Sequence, residues 1–89
     1  MIMPIMSIEL GFLDRALSVA AVRELELEAK GFPPQLVRAA ISRATGAARR
    51  KAEPLSPSIR EQAYYEFLVD ELKHVEDWIT RLQNSVGSS

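Results

Sequence analysis

The chain has 89 residues, 47% of them hydrophobic, with a formal net charge of -1 and no cysteine. A chain of this length makes one domain with a thin core, and this composition is too apolar for intrinsic disorder. Disulfide scaffolds, cysteine-bound zinc and thiolate nucleophiles are excluded, and the near-neutral charge gives no overall attraction to nucleic acid or an anionic membrane.

The lack of cysteine fits a reducing cytoplasm. No run of about 18 apolar residues exists that would span a bilayer. Residues 1–6 are apolar but lack the basic region and cleavage site of a signal peptide, so they read as a short arm.

Proline and glycine divide the rest into three predicted helices within a single domain, residues 1–89. The first covers about residues 7–30. Ser7 is its predicted N-cap, and Glu9 suits the positive end of the helix dipole. Leu10, Leu13, Leu17, Ala21 and Leu25 fall on one face, and Gly11 marks a place where the helix starts late or breaks. Lys30-Gly31 is a stop signal.

Gly31-Phe32-Pro33-Pro34 is the sharpest local signal. Pro33 pushes Phe32 out of helical geometry, and Pro34 has its φ pre-set for a helix start. The second helix therefore covers about residues 34–53. Its apolar face is Leu36, Val37, Ala40, Ile41, Ala44 and Ala48, mostly small side chains that let a neighbouring helix come close.

Pro54-Leu55-Ser56-Pro57 closes that helix and opens a third, about residues 57–84 and roughly 40 Å long. Ser58 and Glu61 fit a capping box. Tyr65, Leu68, Leu72, Val75, Ile79, Leu82 and Val86 alternate spacings of three and four, a coiled-coil seam. Residues 87–89 read as a disordered tail. The short proline-bounded connection makes the second and third helices antiparallel neighbours. The fold class is thus all-α: a long antiparallel helical hairpin with an additional N-terminal helix, completing its core by dimerisation.

Catalytic parts are missing. His74 is the only histidine, on a polar face with Asp70, Glu71 and Asp77 nearby, and reads as solvated. No glycine-rich loop cradles a phosphate, and the serines have no activating base. The expectation is a non-enzyme with no cofactor and no metal.

Charge is uneven. The second helix carries Arg38, Arg43, Arg49, Arg50 and Lys51 against Glu53; the third carries Glu61, Glu66, Asp70, Glu71, Glu76 and Asp77 against Arg60, Lys73 and Arg81. Attraction between the rims of the two helices is the simpler reading. Contact of Arg49-Arg50-Lys51 with nucleic acid is the other, opposed by the acidic third helix. Beside the seam, Tyr64, Phe67, Glu71, His74 and Trp78 make a second stripe. Either the first helix covers it or another chain does, since aromatic residues dominate interfaces.

Gly31-Phe32-Pro33-Pro34, Ala44, Arg49-Arg50, Glu53 and the Tyr64-x-Glu66 opening of the third helix resemble the TraM-type antiactivators of quorum sensing. The likeness runs from Gly31 to Leu82. This chain departs from the family in its shorter connection between the long helices and its longer N-terminal segment. The resemblance implies a stoichiometric inhibitor that binds a TraR-like regulator of the LuxR class and blocks its attachment to DNA. Pro33, Pro34, Val37, Tyr64 and the exposed face of the third helix, with Phe67, Glu71 and Trp78, are then the expected contacts. The expected partner is another protein, with no direct nucleic acid and no membrane. A helical chaperone that sheathes a partner helix is the alternative, and a small DNA-binding regulator comes after it.

Overall fold

The computed structural model describes residues 11–87, the side chains of residues 86 and 87 excepted. Among these, four α-helices follow one another: α1 Phe12–Ala29, α2 Pro34–Ala52, α3 Pro57–Leu72 and α4 Val75–Gly87. The arm of residues 1–6, the expected cap Ser7 with Glu9 and Leu10, and the tail residues Ser88 and Ser89 lie outside the described residues. Gly87 ends α4 instead of starting a tail.

Glycine fixes both ends of α1. Gly11 takes the N-cap position in extended geometry, and the Arg15 N–H donates to the Gly11 carbonyl at 3.0 Å. At the other end Gly31 has φ 98°, the left-handed conformation that a side chain disfavours. The Phe32 N–H reaches back to the Leu27 carbonyl (3.2 Å) and the Gly31 N–H to the Glu28 carbonyl (3.0 Å). This is a Schellman ending, and Phe32 packs against the core that holds Leu27, the apolar contact such endings favour.

Pro33 then caps α2 in extended geometry, with Pro34 in the first turn, where its missing N–H is no loss. Arg49, Arg50 and Lys51 fill the last turn, where cations suit the negative end of the helix dipole. The inner face of α2 is Val37, Ala40, Ile41, Ala44, Ala48 and Ala52, all buried. Small side chains there let the neighbouring helices come close. α2 packs on α1, α3 and α4.

Two expectations need correction. Ser58 and Glu61 form no capping box: Ser56 is the N-cap, no side chain bonds the helix end, and Ser56 Oγ lies 3.2 Å from Ser58 Oγ. Pro57 in the first turn removes one of the donors a cap would satisfy. The third helix is also not one rod. It is interrupted at Lys73-His74, where the Lys73 N–H donates to Asp70 and the His74 N–H to Glu71, each three residues back. This is a tightened turn in right-handed geometry, so α4 continues the general course of α3.

Contacts from α1 hold that interruption. Arg23 Nε donates to the Leu72 carbonyl at 3.1 Å, where the helix ending leaves that oxygen without an intrahelical partner. Glu76, in the first turn of α4, meets Lys30 Nζ at 2.9 Å and Arg23 Nη2 at 3.7 Å.

The seam crosses the break intact. Leu68, Leu72, Val75 and Ile79 are buried, with Tyr65 and Leu82 half-buried at its ends. Val86 lies in α4, its side chain outside the described set. The first helix turns its leucine row outward. Ala16, Ala20 and Leu27 face the core, whereas Leu13, Leu17, Ala21 and Leu25 face out. Four-residue steps advance a position by about 40° around a helix, so this row winds from the edge of the core onto the outer side.

Candidate functional site

The second stripe of the C-terminal helices is covered largely by cations from α2. The Arg43 guanidinium lies 5.2 Å from the Trp78 ring, Arg49 lies 6.0 Å from Tyr64, and Lys51 Nζ lies 5.8 Å from Phe67. Lys51 also donates to Glu71 at 2.6 Å. That hydrogen bond, with the charge of Glu71 behind it, holds the Lys51 ammonium above its usual range. One pair of opposite charges, Lys51 and Glu71, thus joins the rims of the two helices, and Arg43 and Arg49 of α2 lie over aromatic faces. Tyr64, Phe67 and Trp78 remain half-buried, and Tyr64 also lines a groove beside Leu13 and Leu17 of the first helix.

The expected contact residues do not form one patch. Pro34 is exposed and Pro33 half-buried at the start of α2, whereas Tyr64 sits beside Arg49, roughly 22 Å further along that helix. Val37 is 0% exposed. It belongs to the core, on the inner face of α2 with Ala40, Ile41 and Ala44, and presents nothing to a partner. Glu71, His74 and Trp78 do come together with Arg43 and Arg81, around a shallow cleft of about 110 Å³.

His74 is exposed, and the neighbouring Glu71 is tied to Lys51. Among the described residues no group of three or more histidine or acidic side chains is arranged to hold a metal ion. No helix among them is long and apolar enough to cross a membrane.

Most of the exposed large apolar side chains lie on α1, with Ile59 of α3 the exception among the described residues. Leu17 is 71% exposed and Leu25 66%, with Leu13 and Val22 about half exposed. Two grooves flank this helix. One, about 640 Å³, runs against α3 and is walled by Val19, Val22, Tyr65, Val69 and Leu72. The other, about 600 Å³, opens beside Leu13 and Leu17 over a floor of Ala16, Ala20 and Ala52, with Arg49, Glu53, Arg60 and Glu61 at its rim. An alanine floor with leucines along one side and Tyr64 on the other leaves room for a bulky apolar side chain from outside. The leucine spacing signals this row as one face of the helix, but not that the face turns outward.

Comparison with protein-family models, curated proteins and solved structures finds no match for this chain.

Proposed function

We propose that this chain is a non-catalytic protein-binding module that grips another helical protein, with the outer face of α1 as its principal surface. One observation carries the reading: α1 is apolar on both sides, and the side turned away from the core keeps Leu13, Leu17, Val22 and Leu25 accessible. A helix with apolar rows on two faces is suited to burial on both, and its own chain buries one. Contiguous accessible apolar rows mark interaction sites.

The finer form of the proposal is a stoichiometric antiactivator that sequesters a LuxR-type transcriptional activator and keeps it off DNA. It rests on the resemblance of Gly31–Leu82 to the TraM-type proteins. An antiparallel hairpin of α2 with α3 and α4 fits that layout, since Arg43 meets Trp78 while the later Arg49 meets the earlier Tyr64. The test is co-purification with a LuxR-type regulator of the same cell, followed by a DNA mobility assay. Retained DNA binding at a several-fold excess of this protein defeats the antiactivator reading. The two grooves beside α1 also favour a chaperone that sheathes a partner helix; capture of a secreted helical protein in place of a regulator would select it.

A further inference from the structure

We infer that the outer face of α1 accepts a basic amphipathic helix, one that sets apolar side chains between flanking lysines or arginines. This rests on the reading of α1 as the binding face and specifies what it binds.

The shape comes first. Leu13, Leu17, Ala21 and Leu25 form a ridge about 18 Å long. Ser18 and Ala21, both small and exposed, leave a notch between Leu17 and Leu25. A ridge with a notch of this kind receives a side chain from a helix laid across it.

Charge then selects the occupant. On the helical wheel Asp14, Glu24 and Glu28 fall inside the arc swept by the leucine row. No ion pair with another described residue engages any of the three. The two bases of α1 lie outside that arc: Arg15 stacks over Phe12 at 5.1 Å, and Arg23 turns inward to the Leu72 carbonyl. Within α1 itself, the accessible ridge is therefore leucine set among carboxylates.

A second copy of this chain is the obvious competitor, and it fits less well. Two-fold pairing through α1 would bring Asp14, Glu24 and Glu28 against their own copies, and the nearby bases do not offset them, since Arg49 and Arg60 sit at the groove rim with Glu53 and Glu61 beside them. Anionic membranes and nucleic acids are repelled for the same reason. A helix with apolar knobs and basic flanks satisfies the leucines and the carboxylates together.

The experiment uses the full chain and two synthetic helix-forming peptides, identical in their leucines but flanked by lysine in one and glutamate in the other. Binding is followed by fluorescence anisotropy at low salt. The lysine peptide binds at least about tenfold more tightly than the glutamate peptide, and added salt narrows the gap. Replacing Glu24→Lys together with Glu28→Lys reverses the preference. Leu17→Asp weakens the lysine peptide by about tenfold although it adds a favourable charge, and circular dichroism shows the fold retained because Leu17 is 71% exposed.

Equal binding of both peptides, still lost in Leu17→Asp, overturns the charge selection and leaves α1 as the binding face. Binding of neither peptide overturns the inference. If a captured protein partner is then indifferent to Leu17→Asp, the α1 reading falls with it. A sedimentation mass that halves in Leu17→Asp assigns the ridge to a second copy and likewise overturns the inference.

Discussion

Leu27 and Leu17 are the same residue type on the same helix, and the fold treats them oppositely. Leu27 is 0% exposed, whereas Leu17 is 71% exposed. Truncating a fully buried leucine to alanine removes its transfer energy and leaves a cavity, a cost of about 3 kcal/mol or more. For Leu17 the folded chain hides under a third of the side chain, so truncation costs about 0.5–1 kcal/mol. At about 4–8 °C per kcal/mol for a domain of this size, Leu27→Ala lowers Tm by about 12–24 °C and Leu17→Ala by about 2–8 °C. The total stability of such a domain is about 5–15 kcal/mol, so the first variant loses a large share of it. Thermal and urea melts followed by far-UV circular dichroism measure both. Comparable losses at the two positions would refute the orientation of α1. Melts repeated across protein concentration would then show whether a second chain shelters Leu17, since such shelter makes Tm concentration-dependent.

Gly31→Ala places a side chain at φ 98°, with nothing near the added carbon, so backbone strain alone should cost about 1–2 kcal/mol in a urea melt. A neutral result would mean the left-handed ending is wrong. Leu72→Asp buries a charge in the seam with no partner and should abolish cooperative melting at ordinary temperatures; an unchanged Tm would contradict the burial of this row. The hydrogen bond from Lys30 holds the Glu76 carboxyl below its ordinary value of 4.5, with the charges of Lys30 and Arg23 acting the same way against partial desolvation. The unfolded chain therefore binds more protons in that range. The stabilisation is complete above 4.5 and disappears as pH falls through the lower folded value. Glu76→Gln should therefore lower the urea midpoint at about pH 7, and the difference should shrink as pH falls below 4.5. A gap that keeps its size would assign the effect to something other than this carboxylate.

The parts of the fold legible in the residues are those set by local chemistry. Pro34 opens α2 and Gly31 ends α1, because one needs no donor and the other needs no side chain. The seam of Leu68, Leu72, Val75 and Ile79 is equally local, since one period carries through both segments. What was not legible depends on tertiary context. Periodicity puts Leu13, Leu17 and Leu25 on one face but does not say which way that face turns. In the fold, α1 turns Ala16 and Ala20 inward, into a core that already holds the alanines of α2, and these leucines turn out. The break after Leu72 has no proline or glycine to announce it. Arg23 at the freed carbonyl and Glu76 between two cations mark it only once the helices are packed. The aromatic stripe was legible as a stripe, but not as a surface met by guanidinium and ammonium groups of the same chain.

That last arrangement changes what Arg49-Arg50-Lys51 offers to a visiting polyanion. Written out, the triplet resembles a phosphate-binding run. Folded, Arg49 leans on a phenol and Lys51 grips a carboxylate. A phosphodiester backbone approaching this end of α2 would compete with a phenol ring and a carboxylate for two of the three cations.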